Sequence, residues 1–330
     1  MAGPYKIASF AEHVVDPIDV LICSASYEDR CRSIPECISP DLVKQVLVCE
    51  NEDLLTYVGK NGQLLKDRFG DKAVGVPLNT NDPLKVADNL EYALAKVITA
   101  EPQRLLVDTT TFTREALLIL LNLIHCNIRA NNTAYFTYAT AKEYSIGQKP
   151  EDKWLSKGIS QIRSVLGYAG SLLPSRKLHL LVLCGFEHER AAKLIDTFEP
   201  AVTSLGFGQE EQSISHENYE INVAFHKRLC DLYQNIESFC FSLTDPLQTK
   251  NEIQKVISSK PDYNIVIAAL NNKISAIGAA LAAFENSEIQ LCYAQANHYN
   301  YESYSIPGDE FYIFEIPEFL RLESPAAQAN

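Results

Sequence analysis

Apolar runs alternate with amphipathic, helix-forming stretches along this chain. In the first half the pattern predicts strands at about 18–23, 45–49, 73–78, 104–108 and 133–138. Helices are predicted between them, near 28–38, 53–68, 83–99 and 113–126. Short apolar strands separated by helices are typical of a parallel sheet covered by helices on both faces.

The second half repeats this order, with strands predicted at about 178–184, 220–225, 238–243, 264–270 and 289–294. Short segments also recur. Residues 138–144 match residues 293–299 at four of seven positions, and the Asp-Pro-Leu of 82–84 returns at 245–247. Independent matches in one order indicate an internal duplication.

The duplication predicts an α/β protein of two tandem-duplicated Rossmann-like units. Each unit is expected to be a mainly parallel sheet with helices on both faces and with the same strand order in both copies. We assign the first unit to 1–148, a partly helical linker to 149–176 and the second unit to 177–330, with a disordered tail at 324–330.

Composition limits the classes of protein that this chain can be. Its 330 residues, 46% of them hydrophobic, suffice for two cores. No apolar run reaches the roughly 18 residues of a membrane span, and the N-terminus lacks the apolar core of a signal peptide. The nine cysteines form no Cys-x-x-Cys pair. We therefore expect a soluble, cytoplasmic protein with reduced thiols and no membrane partner.

The formal net charge of −13 argues against direct binding of long nucleic acids, which are held mainly by basic surfaces. A small phosphorylated ligand needs only a few cations and the backbone N–H groups at a helix start. The charge therefore leaves a nucleotide-sized ligand open as a partner.

The most informative motif is the segment 108–114, which follows an apolar strand and opens an apolar helix. Hydroxyls such as those of Thr110 and Thr111 can meet a phosphate at a helix N-terminus, and Arg114 adds a fork of donors. Asp108 ends the strand. The structural alternative is that Thr113 only caps the helix and Arg114 is solvated.

The turn after the first strand is the second candidate. Ser24 and Ser26 could bind phosphate, Tyr27 could stack on a base, and Arg30 could pair with the ligand or with Glu28. The alternative is a helix cap followed by an acidic first turn. The remaining candidate cations, which fall on loops predicted to lie at the same type of sheet edge, are Lys142, Arg190 and Lys273.

The spacing of Asp108, Thr110 and Arg114 resembles the Asp/Asn-x-Ser/Thr-x-x-x-Lys/Arg signature of the CRISPR-associated Rossmann-fold (CARF) sensors. Two fused units of this kind are similar to SAVED-type sensors. The resemblance implies a cyclic oligonucleotide ligand held between the halves, and a role in prokaryotic antiviral defence with a separate effector chain. The equivalent loop of the second copy, 270–275, departs from the signature because it lacks the acid and the arginine.

Catalytic chemistry is less well supported. The chain has neither a P-loop nor a Gly-x-Gly-x-x-Gly fingerprint, and its histidines are scattered, so we assign no catalytic residue, cofactor or metal. We expect a nucleotide-binding sensor or signalling subunit with a protein partner. The alternatives are an enzyme on the same scaffold, either a cyclic-nucleotide phosphodiesterase or a nucleoside or sugar-nucleotide enzyme, and a scaffold subunit without ligand.

Overall fold

The computed structural model describes residues 2–127, 132–144, 154–213, 215–302 and 304–316. Two mainly parallel sheets are flanked by helices, which confirms the predicted class of two Rossmann-like α/β units. The predicted tail at 324–330 lies outside the described residues. No described helix is both long enough and apolar enough to cross a membrane.

The first half contains six strands and four α-helices in its described residues. The strands are β1 (Ala2–Lys6), β2 (Ile18–Ser24), β3 (Val43–Asn51), β4 (Ala73–Leu78), β5 (Arg104–Asp108) and β6 (Thr133–Tyr144). The helices are α1 (Phe10–His13), α2 (Leu55–Phe69), α3 (Pro83–Val97) and α4 (Arg114–Asn127).

The second half continues with β7 (Ser156–Ser164), β8 (Lys177–Leu183), β9 (Val202–Gly208), β10 (Ile236–Phe241), β11 (Tyr263–Ala269), β12 (Gln290–Tyr299) and β13 (Ser305–Glu315). Its helices are α5 (His188–Phe198), α6 (His216–Leu232), α7 (Pro246–Ser258) and α8 (Lys273–Glu285).

The two sheets share one strand order. Five parallel strands run β6-β5-β2-β3-β4 in the first sheet and β12-β11-β8-β9-β10 in the second. Each repeat thus begins in the middle of its sheet, builds outward to one side and then returns to the other side. The order agrees with the predicted duplication. It places the switch point between β2 and β5 in the first sheet and between β8 and β11 in the second.

The outer antiparallel strands are exchanged between the repeats. β7 follows β6 in the chain but pairs with β12, and β13 follows β12 but belongs to the first sheet, between β6 and β1. One compact unit therefore comprises Met1–Ala141 with the chain from Pro307, and the other comprises Lys142–Ile306. These bounds differ from the predicted ones at 148 and 177, because a sequence repeat does not reveal which sheet edge a strand will extend.

Three local predictions are also wrong. The described part of the linker contains β7 rather than a helix, since its backbone pairs with β12. Segment 220–225, predicted as a strand for its apolar and β-branched residues, lies inside α6, whose start is capped by the Ser215 hydroxyl accepting from the Asn218 amide. The predicted helix at 28–38 consists of short 3₁₀ turns, and Pro35 there has no amide hydrogen for a continuous helix.

The repeated Asp-Pro-Leu has the same function in both copies. Asp82 caps α3 by accepting from the Lys85 amide at 3.0 Å, and Asp245 caps α7 by accepting from the Leu247 amide at 2.9 Å. In each case proline occupies the first helical position, where its missing N–H costs no helical hydrogen bond. This motif is therefore a pair of helix starts.

Candidate functional site

The two loops predicted to bind ligand meet at the switch point of the first sheet. β2 and β5 are neighbours there, and the Thr111 hydroxyl in the loop after β5 donates to the Ser24 carbonyl at the end of β2. The two oxygens are 2.8 Å apart. In open parallel sheets, ligands bind in the crevice at this position. The junction of these two loops is the candidate site.

The start of the Asp108 motif is directed into the protein. The Asp108 carboxylate accepts from the Thr110 amide at 3.1 Å and from the Thr110 hydroxyl at 2.5 Å. The same hydroxyl accepts from the Ala139 amide of β6, and the Thr109 hydroxyl donates to the Thr137 carbonyl. Thr110 is fully buried. Both hydroxyls join the end of β5 to β6.

Burial raises the pKa of Asp108 to about 7, against the opposing effects of the Thr110 hydrogen bonds and the Arg30 charge. A carboxylate deprived of water is destabilised in its charged form, which is the reason for the shift. Burial therefore favours the neutral carboxyl group of Asp108 more than in an exposed aspartate.

The end of the motif is more open to solvent. Thr113 accepts from the Ala116 amide at 3.2 Å, so it caps α4 as the structural alternative expected. Arg114 is the first residue of α4 and is half-buried, as is Thr111. These two side chains lie where the helix N-terminus contributes partial positive charge. They are the part of the motif best placed to meet an anion.

Arg30 is a buried structural side chain. Its guanidinium is 2% exposed and donates to the Glu28 carboxylate at 3.0 and 2.7 Å. It also donates to the Ala139 carbonyl of β6 at 3.1 Å and lies 5.9 Å from the centre of the Tyr138 ring. The sequence offered the ligand or Glu28 as the partner of Arg30, and the structure pairs Arg30 with Glu28. The turn after β2 is thereby fixed to β6.

The other residues of this turn vary in access to solvent. The Ser24 side chain is buried and donates weakly to the Ala25 carbonyl, at 3.4 Å. Ser26, also buried, accepts from the Glu28 amide at 3.2 Å. Tyr27 is half-buried. Within the turn, Tyr27 is thus the predicted ligand contact most open to solvent.

The second unit repeats the arginine cluster. Arg190, 2% exposed, forms an ion pair of 2.7 Å with Glu187 and donates to the Ala294 carbonyl of β12. Its guanidinium lies 5.8 Å from the centre of the Tyr293 ring. Ala294 and Tyr293 are the repeat counterparts of Ala139 and Tyr138. The predicted ligand contact Arg190 is therefore, like Arg30, part of a buried clamp.

The switch point of the second sheet has different chemistry. The Asn271 amide donates to the Cys184 carbonyl at 2.5 Å, in the position of the Thr111 contact. Asn272 caps α8 by accepting from the Ser275 amide at 2.9 Å. Lys273, a predicted ligand contact, begins that helix and is half-buried. Lys142, the last predicted contact, is exposed on β6.

Sequence reasoning missed two sets of aromatic contacts in the second unit. Tyr144 lies 6.0 Å from Phe186 and 6.4 Å from Tyr304 between ring centres. Tyr299, at the end of β12, lies 6.2 Å from Tyr301. The signal was present in the chain, since four tyrosines fall between positions 293 and 304. Aromatic faces of this kind are suited to stacking on nucleobases.

The described residues contain no grouping of three or more histidine, cysteine, aspartate or glutamate side chains placed to hold a metal ion.

No protein-family model and no curated protein sequence matches this chain. Similar solved structures include the mitomycin 7-O-methyltransferase MmcR, at 7% identity over 43% of this chain and 38% of that chain, with a TM-score of 0.23. The pyocyanin biosynthetic protein PhzM matches over the same shares at 12% identity and a TM-score of 0.23. This chain thus spans well under half the length of these two proteins.

The cytoplasmic domain of a prokaryotic cation chloride cotransporter matches over 86% of this chain and 98% of that chain, at 9% identity and a TM-score of 0.24. Similarity at this level carries no inference about function.

Proposed function

We propose that this chain binds a nucleotide-type, phosphorylated ligand at the switch point of its first sheet and acts as a sensor or signalling subunit. The observation that carries the proposal is the 2.8 Å contact between the Thr111 hydroxyl and the Ser24 carbonyl. It brings the turn after β2 beside the N-terminus of α4. The signalling role and the separate effector come from the resemblance to CARF and SAVED sensors.

The phosphate of such a ligand would meet Arg114 and the N–H groups at the start of α4. To donate to the phosphate as well, the Thr111 hydroxyl would have to turn away from the Ser24 carbonyl, because it has a single proton. A helix start favours an anion through its N–H groups and dipole, and an arginine adds charge-assisted hydrogen bonds. A permanently charged Asp108 nearby would repel that anion. Its pKa of about 7 reduces this repulsion, because protonation of the carboxyl group removes the charge.

Binding without fast turnover is the form of the proposal that these side chains favour. Arg30 and Arg190, which could have stabilised the charge of a phosphodiester transition state, are committed to buried glutamates. No histidine lies within 24–30 or 108–114 to act as a general base. The proposed ligand is therefore expected to be released intact.

Arg114→Ala provides the first test. It should weaken binding of the recognised member of a panel of cyclic di-, tri- and tetranucleotides by about 1–3 kcal/mol, through loss of a charge-assisted hydrogen bond. Isothermal calorimetry measures the loss. Arg104→Ala is the matched control. Arg104 lies at the start of β5, the end of the strand away from the candidate site, and pairs there with Asp16.

The control should bind as the unmodified protein does. Unchanged affinity of Arg114→Ala together with a lowered melting temperature would assign Arg114 to structure alone. Mass spectrometry of small molecules released from the purified, denatured protein supplements the panel. A panel without any binding and a protein without released nucleotide would instead favour the scaffold alternative.

Turnover is tested by incubating the protein with the same panel and separating the mixture by chromatography. We expect the cyclic compounds to be recovered unchanged. Linear products that disappear in Lys142→Ala would replace the sensor by a ring-opening phosphodiesterase. Lys142 is suitable because it is exposed, whereas Arg30→Ala would also break a buried ion pair.

A further inference from the structure

Helix α6 of the second unit carries a cysteine paired with a histidine. The Cys230 sulfur lies 3.7 Å from His226 Nδ1, within hydrogen-bond distance for a thiol. The two residues are one helical turn apart and so share a face of the helix. The other ring nitrogen, Nε2, lies 3.3 Å from the Leu205 carbonyl oxygen of β9 and 3.3 Å from the Ser238 hydroxyl. None of these residues belongs to the candidate nucleotide site.

These contacts define the protonation of the ring. A carbonyl oxygen can only accept, so the neutral ring of His226 carries its proton on Nε2 and donates it to Leu205. Nδ1 is then the acceptor, and the Cys230 thiol is the donor. Burial lowers the pKa of His226 and favours this neutral form. The Cys230 thiol, a nucleophile, is thus in contact with the base His226, whose ring is oriented by the Leu205 carbonyl.

The other cysteines have different surroundings. Five of them, Cys23, Cys31, Cys49, Cys184 and Cys292, are buried, and burial raises their pKa. Burial also raises the pKa of Cys37 and Cys240. Cys126 is exposed, and its sulfur lies 3.9 Å from the Asn122 amide oxygen, which cannot take up a proton. Cys126 is therefore an internal reference for a solvent-accessible thiol.

We propose that Cys230 is a nucleophilic thiol, activated by His226, that is oxidised by hydrogen peroxide. The sulfur attacks one peroxide oxygen, so that an S–O bond forms as the O–O bond breaks. The thiol proton passes to His226 Nδ1 and then to the departing hydroxide, which leaves as water. Cysteine is oxidised to sulfenic acid and the peroxide is reduced. This reaction is independent of nucleotide binding.

The test is competitive labelling of the full chain with limiting iodoacetamide, followed by peptide mapping. Cys230 should be alkylated at least about tenfold faster than Cys126, although Cys126 is the more exposed, because a positioned base accelerates proton removal. After treatment with hydrogen peroxide, dimedone should label Cys230 first. In His226→Gln the rate at Cys230 should fall about tenfold, with Cys126 unchanged.

Ser238→Ala is the matched control, because it retains the Leu205 carbonyl that orients the ring, and it should keep most of the reactivity. Alkylation of Cys184 and Cys292 reports unfolding of any variant, and His226→Asn replaces His226→Gln if they become labelled. The proposal is overturned if Cys126 or Cys240 reacts before Cys230. It is equally overturned if removal of His226 in a folded variant leaves the rate at Cys230 unchanged.

Discussion

β5 and β11 occupy equivalent positions in their two sheets but end in different residues. β5 runs into Asp108-Thr109-Thr110, and β11 runs into Ala268-Ala269-Leu270. In the first unit a buried acid and two hydroxyls connect this edge to β6. In the second unit the same positions are buried and apolar. The polar group is therefore not required by the fold, since the second unit forms the same strand order without it.

The arginine clamps show the opposite behaviour. Both copies keep a buried arginine, a glutamate partner and a carbonyl on the last parallel strand. A buried charge is costly unless it is paired and hydrogen-bonded, so the two repeats share one solution to one structural problem. Shared polar clusters in this duplication hold the fold together, whereas the diverged Asp108 motif is the better candidate for function. The predictions below test that division.

Loss of either clamp should have the largest effect. Arg30→Met and Arg190→Met each remove the ion-pair partner of a buried glutamate, and each should lower the free energy of unfolding by about 3–5 kcal/mol. Chemical denaturation measures both. Arg176→Met is the control, because its ion pair with Glu288 is partly exposed and should cost less than about 1 kcal/mol. If one clamp variant lost as little free energy of unfolding as the control and the other lost much more, the two clamps would not be equivalent.

The clamps also show what the sequence could predict. The 160-residue spacing of Arg30 and Arg190 correctly indicated equivalent positions, because a duplicated strand and turn keep their register. The sequence did not decide whether their partners belong to a ligand or to the protein. The Ala139 and Ala294 carbonyls that compete for them are backbone groups more than 100 residues away in the chain. Tertiary hydrogen bonds of this kind leave no local pattern.

The exchanged strands were beyond prediction for a related reason. The internal repeat predicted that the two sheets share one strand order, and the five parallel strands of each sheet do so. The choice of edge for β7 and β13 depends on which backbone donors and acceptors are available in three dimensions. Both segments also contain charged and polar residues at many positions, so hydrophobic periodicity gave little sign of them. The Cys230–His226 pair depended in turn on α6, of which only residues 220–225 were assigned, as a strand.

We expect Asp108 to make the stability of the first unit depend on pH. The equivalent residue of the second unit, Ala268, does not titrate. Its pKa is raised from 3.8 in the unfolded chain to about 7 when folded, so the folded state binds the proton more tightly. This contribution to stability is complete below about pH 4 and is lost as the pH rises through 7. Between pH 5 and 8 the free energy of unfolding should fall by up to about 2–3 kcal/mol from this group.

Asp108→Asn removes the titration while keeping an acceptor for Thr110, so thermal or chemical denaturation should show a flatter profile between pH 5 and 8. Asp82→Asn is the control, since Asp82 is an exposed helix cap and asparagine also caps helices. An unchanged slope in Asp108→Asn would show that the acid is hydrated, and it would weaken the contrast with Ala268.

The smallest expected effect separates capping from ligand contact at the two helix starts. Thr113→Ala removes the acceptor for the Ala116 amide, and Asn272→Ala removes both the cap of α8 and a hydrogen bond of 2.7 Å to the Leu243 carbonyl. Loss of a cap costs about 0.5–2 kcal/mol, so both variants should be less stable and Asn272→Ala more so. If Thr113 is only a cap, Thr113→Ala binds the nucleotide ligand as tightly as the unmodified protein. Weaker binding that Thr113→Ser restores would extend the proposed phosphate contact to Thr113 and sharpen the difference between the two units.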